Sequence, residues 1–289
     1  MEYIIFDLEW NNAYNYKINK GMNEIIEIGA LKLNEKLDIT DTYKQLIKPR
    51  LSKRLRSSFK NLTHITMEEI REKGVDFDEA FAGFSRWCGN GDLIFLSWST
   101  SDLHTLAENY LKFTGSADVK FIKKYADAQK YCMHFLKTES NNQVSLSKCA
   151  ESFGIVVENE SLHRALEDCY VTALCFKKVF DSSLFEQYVS PCSREFFERL
   201  VFKPFFIDKP KFEDFCLYEI PFVCKYCGKE ITRIKPYELV SNSFKSVGKC
   251  SCCNKKYWLN VRAKKTYDGI VVSTKAFEMN KKRAKKFDS

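Results

Sequence analysis

The chain has 289 residues, of which 45% are hydrophobic and 15% aromatic, enough apolar material for one medium-sized domain and a smaller second one. No apolar run is long enough to span a bilayer, so we expect no membrane helix. Asp7 and Glu9 interrupt the only early apolar segment, which therefore does not resemble a signal peptide. We therefore expect a soluble, cytoplasmic protein.

The net charge of +8 is concentrated near the C-terminus. Residues 1–180 hold 24 basic and 25 acidic side chains, whereas residues 220–289 hold 17 and 5. A segment with this excess favours a polyanionic partner, with an ordinary solvated basic face as the alternative.

The first predicted strand, Tyr3 to Trp10, ends in two carboxylates. Asp7 and Glu9 are two residues apart, so they project to the same face of the strand. Carboxylates this close repel unless they share a proton, face a basic side chain or bind a divalent cation. No basic residue lies between Met1 and Tyr16, so the pair indicates a metal site; a polar strand end facing water is the alternative.

The remaining elements of the first 180 residues follow from hydrophobic periodicity and from turn residues. Asn11 to Asn23 is predicted to be a polar, flexible connection, and the first three strands are predicted to form an antiparallel meander. The further predicted elements are strands over 24–33, 42–47, 92–98 and 119–122, and helices over 77–87, 102–111, 127–135, 146–153 and 163–180.

Two later stretches supply further acidic side chains. Asp102 opens a helix directly after a strand, where an acid suits helix capping but where α/β proteins also bind ligands. His163 precedes Asp168 by five positions at the start of the last long helix, where a capping histidine and an exposed acid are the alternative interpretation. In a βββαβα order, these residues converge on one site with Asp7 and Glu9.

Three motifs carry a family resemblance. The stretches Phe6 to Glu9, Trp98 to Asp102 and His163 to Asp168 resemble the exonuclease motifs of the DEDDh class, the superfamily of RNase T, oligoribonuclease and the proofreading subunit of DNA polymerase III. The tyrosine variant of this superfamily has Tyr where Arg164 stands, so the histidine class fits. The resemblance covers about residues 1–180 and is nearest the stand-alone histone-mRNA and RNA-silencing exonucleases.

The resemblance implies an α/β, RNase H-like fold with a five-stranded mixed sheet flanked by helices. It implies that Asp7 bridges two Mg²⁺ or Mn²⁺ ions, that Glu9 and Asp168 complete one ion site, and that Asp102 holds the other ion, partly through water. His163 is the implied general base. Hard oxygen ligands suit these ions, which stabilise both the attacking and the leaving oxygen of a phosphodiester.

The resemblance also implies contacts to substrate. The stretch Leu62 to Thr66 is similar to the family's end-binding loop, in which Ile65 stacks on the terminal base; burial of Ile65 in its own domain is the alternative. The second motif departs from the commoner Gly-His-Asn or Gly-Asp pattern. This leaves open whether the neighbours of Asp102 contact the substrate. The implied substrate-binding residues are Leu8, Trp10, Thr63, His64, Ile65 and Trp98.

Five of the twelve cysteines cluster near the C-terminus. Two Cys-x-x-Cys knuckles, one with Cys224 and Cys227 and one with Cys250 and Cys253, are separated by 22 residues, a spacing typical of a structural, tetrahedral Zn²⁺ site. Cys252 is a fifth candidate ligand. Strands over 257–261 and 269–275 are predicted to form a hairpin behind the knuckles, as in a zinc ribbon.

The sequence predicts an exonuclease domain over 1–181, a connector over 182–219 and a basic zinc-ribbon domain over 220–289. We expect a metal-dependent 3′-to-5′ exonuclease that releases 5′-mononucleotides from single-stranded nucleic acid, with RNA slightly favoured. A DNA-directed exonuclease of the proofreading or end-trimming type and a non-catalytic nucleic-acid-binding adaptor are the alternatives. The zinc ribbon is expected to hold nucleic acid or a protein partner.

Overall fold

The structure, a computed structural model, describes residues 1–15, 20–136, 143–156 and 164–280. The chain divides into two compact units, Met1–Val201 and Phe202–Ser289. None of the helices in the described ranges is long and apolar enough to cross a membrane.

The first unit contains a sheet and nine helices within its described residues. The strands are β1 (Glu2–Asn15), β2 (Lys20–Leu33), β3 (Ile39–Leu46), β4 (Leu93–Ser97), β5 (Lys124–Asp127) and β6 (Ser190–Pro191). The helices are α1 (Ser57–Thr63), α2 (Met67–Lys73), α3 (Phe77–Cys88), α4 (Ser101–Thr114), α5 (Ala128–Met133), α6 (Leu146–Ser152), α7 (Ala165–Val179), α8 (Ser182–Phe185) and α9 (Arg194–Val201).

The sheet is mixed, with the strand order β3-β2-β1-β4-β5-β6. The first three strands form the predicted antiparallel meander, whereas β4 and β5 lie parallel to β1. The predicted five-stranded mixed sheet flanked by helices is therefore confirmed, and the two residues of β6 add a short antiparallel sixth strand.

The side chains of β1 alternate between two cores. Ile4 and Phe6 pack with α3 and α4 on one face of the sheet, whereas Tyr3 and Ile5 pack with α5 and α7 on the other. Because side chains two apart share a face, Asp7 lies on the side of the sheet that carries α7. Asp7 and Glu9 therefore face α7.

Two predicted elements of the first unit differ from the structure. Residues 11–15 and 20–23, which were predicted to belong to a flexible connection, instead extend β1 and β2, and the buried Asn11 side chain is held by hydrogen bonds to Ser52 and Arg56. The last parallel strand is β5 rather than 119–122. Val119 and Ile122 are fully buried, but they reach the core from a turn.

The second unit is built on antiparallel strands. Its main sheet has the order β10-β12-β13-β14, with β11 beside β12 and β7 beside β13, and β8 and β9 form a separate pair. The predicted hairpin corresponds to β13 and β14, which turn at Tyr267 and Asp268. The strands are β7 (Phe205–Phe206), β8 (Lys211–Phe212), β9 (Phe215–Cys216), β10 (Ile231–Arg233), β11 (Glu238–Val240), β12 (Ser243–Cys250), β13 (Lys256–Thr266) and β14 (Gly269–Glu278).

The predicted connector over 182–219 is divided between the two units. Its first part carries Phe197, which is fully buried in the core beside α3 and α4. Its second part carries Phe215 and Leu217, which belong to the core of the second unit. The irregular hydrophobic pattern of this segment did not show which unit each of its phenylalanines joins. Whether 1–181 and 220–289 act as separate domains stays a prediction.

Candidate active site

Three predicted acidic residues meet where β1 faces the start of α7. Asp7 and Glu9 share a face of β1, and Asp168 lies in the first turn of α7. One carboxylate oxygen from each lies within 4.8 Å of those of the other two. A register shift between Glu9 and Trp10 marks a bulge in β1 at this point, a feature that re-aims side chains at sites.

Asp102 joins these three from α4. Its Oδ1 accepts a hydrogen bond of 3.2 Å from the backbone N–H of Leu8, the residue directly after Asp7. This is a contact across 94 residues of chain, which a simple helix cap would not make. We call Asp7, Glu9, Asp102 and Asp168 the carboxylate centre; all four line one open cavity of about 560 Å³.

A close contact between backbones brings α7 to the sheet. Gly29 of β2 lies so near this helix that a Cβ atom there would be 2.2 Å from the backbone N of Leu166 and 2.4 Å from the carbonyl carbon of Ala165. Real Cβ atoms do not approach other atoms this closely. Only glycine therefore lets the first turn of α7, and with it Asp168, sit at this depth.

A buried ion pair fixes the same end of α7. Glu27, fully buried on β2, receives hydrogen bonds from Arg164 at 2.6 Å from Nη2 and 3.1 Å from Nε, and one of 3.2 Å from the N–H of Ala165. Arg164 also lies 3.5 Å from Glu69. Because Glu27 pairs in register with Glu9, the ion pair ties the helix start to the strand position beside the carboxylate centre.

The electrostatics of the centre favour a cation. Burial raises the pKa of Asp7 well above its usual range, with neighbouring Asp102 and Glu9 adding to the effect. Burial, followed by the charge of Asp168, raises the pKa of Glu9 to about 9, and burial raises that of Asp102 to about 7. Crowded carboxylates with only oxygen donors fit Mg²⁺ or Mn²⁺, because a divalent ion removes the repulsion between them.

The predicted substrate-binding residues fall into two groups. Leu8, Trp10 and Trp98 line the cavity beside the carboxylate centre. Thr63 and Ile65 are fully buried: the Thr63 hydroxyl donates to the carbonyl of Phe59, and Ile65 packs in a small core between β2, α1 and α2. His64 lies on the surface and is outside the cavity lining.

Ile65 therefore matches the alternative of a residue buried in its own domain, and it cannot stack on a bound base from this position. At this side of the cavity the lining comes from α1 and from Arg56, the residue before it. Leu62, the first residue of the stretch that resembles the end-binding loop, does line the cavity. The lining residues without a predicted role are Asn12, Asn23, Arg56, Ser58, Phe59, Ser99, Ser101 and Leu146. Basic residues just before α1, namely Arg50, Lys53, Arg54 and Arg56, were the available signal for Arg56.

Buried polar residues hold α1 in place at the cavity. The carboxylate of Glu24 accepts hydrogen bonds from the backbone N–H groups of residues 50, 51 and 52, at 2.6 to 2.9 Å. The Asn11 side chain accepts another from the N–H of Arg56 at 2.9 Å. The loop into α1 is thus fastened to β1 and β2, which places Arg56 and Leu62 at the cavity.

His163, the predicted general base, lies outside the described residues. Arg164, its chain neighbour, is described and forms the ion pair with Glu27.

The second predicted metal site lies in the second unit. Sγ atoms of Cys224, Cys227, Cys250 and Cys253, which we call the thiolate centre, all lie within 4.8 Å of one another. The Cys224–Cys253 and Cys227–Cys250 pairs are 3.6 and 3.4 Å apart, near the separation of about 3.8 Å between sulfurs around a tetrahedral zinc. Cys252 is exposed and lies outside the group.

Tyr257 supports the thiolate centre from the core. Its hydroxyl lies 3.0 Å from Cys224 Sγ, and this hydrogen bond lowers the pKa of the Cys224 thiol to about 6. A lowered pKa favours the thiolate form, which is the form that binds zinc. Four sulfur donors with matching separations therefore fit a closed zinc site.

The sequence of the first unit also matches a protein-family profile. A profile of the RNase T family, described as exonuclease, matches residues 4–176. The chain belongs to this exonuclease family. The predicted superfamily and enzyme class, an exonuclease, are thereby confirmed.

Solved structures show the same fold at low sequence identity. The nuclease domain of 3′hExo, a DEDDh family member bound to rAMP, has a TM-score of 0.54 and 19% identity, over 66% of this chain and 96% of its own. Cell-death related nuclease 4 (CRN-4) has a TM-score of 0.52 and 17% identity, over 79% of this chain and 87% of its own. No curated protein matches the chain significantly.

Proposed function

We propose that this exonuclease is metal-dependent, works from the 3′ end and releases 5′-mononucleotides from single-stranded nucleic acid. The observation that carries the proposal is the carboxylate centre, in which acids from β1, α4 and α7 line one cavity. The open cavity admits a chain end. Two of the structures with the same fold are described as a 3′-exonuclease and as a nuclease domain bound to rAMP.

Asp7, Glu9, Asp102 and Asp168 would hold two Mg²⁺ or Mn²⁺ ions. When bound, such ions supply stabilisation of the negative charge on the attacking and leaving oxygens of the phosphodiester. The chain's own residues would orient the substrate: Leu62 and Trp98 offer apolar surface to the terminal nucleotide, and Arg56 offers a positive charge to a phosphate.

His163 would act as general base, taking a proton from the attacking water at one of its ring nitrogens. An imidazole titrates near neutral pH, and such catalysis contributes about 10²- to 10⁴-fold to the rate. The Glu27–Arg164 ion pair supports this role, because it fixes the residue next to His163 in the chain. His163→Asn is expected to lower kcat by about this factor and to remove one limb of the pH profile.

RNA is favoured over DNA as substrate. A structure of the same fold is described as bound to rAMP, and another concerns the 3′ end of a histone mRNA stem-loop. Turnover of matched RNA and DNA oligonucleotides, identical in sequence and length, tests the preference. Faster degradation of the DNA would support the DNA-directed alternative.

The thiolate centre would hold one structural Zn²⁺. Four cysteine ligands leave no open position on the ion, so the site would stabilise the second unit rather than take part in hydrolysis. Zinc content measured on the purified protein tests this assignment. One equivalent is expected, and its loss in Cys250→Ser would identify the site.

Asp7→Asn tests the enzyme proposal directly. Removing one ligand charge should lower Mg²⁺-dependent hydrolysis of a 3′-ended oligonucleotide by about 10³-fold, equivalent to roughly 4 kcal/mol of transition-state stabilisation. Binding of the oligonucleotide should be retained. Glu151→Gln, which neutralises an exposed acid on α6, is the matched control and should leave hydrolysis unchanged. Equal activity of Asp7→Asn and wild type would reveal a contaminating nuclease and favour the adaptor alternative.

A further inference from the structure

One face of the main sheet in the second unit is basic. In β13, Tyr257, Leu259 and Val261 point into the core, so the residues between them point to the opposite, outer face. The strand register then places the neighbours on β12 and β14 on the same outer face. The basic residues of this outer face are Lys245, Lys249, Arg262, Lys264 and Lys275, whereas Lys256, on the same side of β13, is buried.

Acidic residues are nearly missing from this outer face. The only acid in β12, β13 and β14 is Glu278, and it pairs in register with the core-facing Tyr257. Glu238 on the short strand β11, opposite Lys245, is the acid that borders the face. In the described ranges no carboxylate forms an ion pair with Lys245, Arg262 or Lys275. The charges of Lys245, Arg262 and Lys275 therefore share one face without a carboxylate partner among the described residues, as in a surface that binds a polyanion.

Aromatic side chains lie among the charges. Phe277 is 55% exposed and stands opposite the partly exposed Trp258 in the strand register. Lys275 lies two residues from Phe277 on the same strand, at about 7 Å along it. Water solvates an exposed aromatic ring poorly, whereas a nucleobase stacks on it favourably.

Arg262 is already oriented for an incoming anion. Its Nε donates to Ser243 Oγ at 3.1 Å, and its guanidinium lies 5.2 Å from the ring centre of Phe206. These contacts hold the side chain while its terminal amino groups make none of the described hydrogen bonds. A pre-oriented guanidinium is the side chain best suited to a phosphate.

We propose that this outer face binds the single-stranded substrate, with Phe277 stacking on a base and Arg262 and Lys275 contacting phosphates. Single strands fit better than duplexes, because only unpaired bases offer a free face to an aromatic ring. The proposal deepens the exonuclease function and rests on it for the identity of the substrate. It assigns to the second unit a holding role that is separate from the hydrolytic chemistry.

Binding by the full chain carrying Asp7→Asn tests the proposal without degradation of the probe. The probe is a 5′-fluorescein-labelled 20-nucleotide oligouridylate, measured by fluorescence anisotropy at several salt concentrations. Arg262→Ala with Lys275→Ala should weaken binding and reduce the salt slope by about 1.4, the value for two lost phosphate contacts on a single strand. Phe277→Ala should weaken binding roughly 5- to 150-fold with the slope unchanged.

Matched controls come from the same unit. Lys211→Ala with Lys229→Ala removes two exposed lysines outside the face, and Phe205→Ala removes a ring that is 47% exposed on the opposite side of the sheet. Both controls should bind like the parent. Affinity and slope that stay at parental values in the face variants, or that change equally in the controls, would overturn the proposal.

Hydrolysis separates this proposal from the exonuclease function. With Asp7 restored, the face variants should cleave a dinucleotide at the wild-type rate, because so short a substrate needs only the cavity of the first unit. A wild-type protein that cleaves nothing would refute the exonuclease proposal, while the anisotropy result still decides the face. Unchanged zinc content and circular dichroism in each variant confirm that its second unit is folded.

Discussion

The two candidate metal sites of this protein are assembled in opposite ways. The acids of the carboxylate centre lie on β1, α4 and α7. Hydrogen bonds and packing between protein groups hold these elements together. The thiolate centre takes its four sulfurs from two short turns in a small unit. In the first unit the fold creates the site. In the second, small domains with such sites depend on their metal to fold.

The largest expected effect follows from removing a thiolate ligand. Cys250→Ser should abolish zinc binding, which is worth about 10–16 kcal/mol in small zinc domains, and should unfold the second unit. Thermal denaturation and zinc content measure the result, with Cys252→Ser as the control, since Cys252 lies outside the cluster. A folded, zinc-free Cys250→Ser protein would show that this unit does not need the ion.

The next effect concerns the ion pair at the start of α7. Glu27→Ala leaves Arg164 without its buried partner and should cost about 3–5 kcal/mol of unfolding free energy, measured by urea denaturation. Glu27→Met with Arg164→Met should recover most of the stability but leave kcat reduced about tenfold. If activity returned together with stability, the pair would have no positioning role.

Gly29→Ala should have a smaller effect on stability and a clear one on activity. The new methyl group meets the α7 backbone, which must shift, at a cost of about 1–3 kcal/mol, and Asp168 moves with it. Gly91→Ala is the control, because its added methyl lies 3.5 Å from the nearest atom, in ordinary contact. Equal kcat in both variants would mean that the depth of α7 is not critical.

The smallest effect is a pH dependence of stability. Burial raises the pKa of Glu9 to about 9 and that of Asp102 to about 7, so the folded state binds more protons than the unfolded state between the ordinary and raised values. Without Mg²⁺ or Mn²⁺, Tm should therefore fall as pH rises from about 5 to 9, by roughly 2–4 °C for each kcal/mol lost.

Calorimetry at several pH values measures this slope of Tm against pH. No chelator is added, because a chelator would also remove zinc. Added Mn²⁺ should raise Tm most at the alkaline end, and Asp102→Asn should flatten the slope, whereas Glu151→Gln should not. A Tm independent of pH and of Mn²⁺ would contradict the assignment of these carboxylates.

Local spacing explains what the sequence could predict. Asp7 and Glu9 must share a face because they are two apart on a strand, and Cys-x-x-Cys turns converge wherever they fold. The antiparallel meander follows from three consecutive strands with short connections, whereas the five-stranded mixed sheet was implied by the family resemblance. These features depend on neighbours in the chain, which a sequence displays directly.

The missed features depend on distant contacts. The Glu27–Arg164 pair joins residues 137 apart, and the need for glycine at position 29 arises from a helix far along the chain. For Ile65 the sequence left base stacking and burial both open, and only the packing of α1 and α2 around it shows that it is buried. Residues 119–122 have the composition of a strand, but packing places them in a turn before β5.

The hydrogen bond from the Leu8 N–H to Asp102 has a consequence for how the enzyme operates. It joins Asp102 of α4 to the strand that carries Asp7 through protein atoms alone, so exchange of a bound ion would leave this link between the two segments intact. Degradation rate should then follow the concentration of free Mg²⁺ or Mn²⁺ in the surrounding solution almost immediately, which would let ion supply set the speed of nucleic-acid turnover.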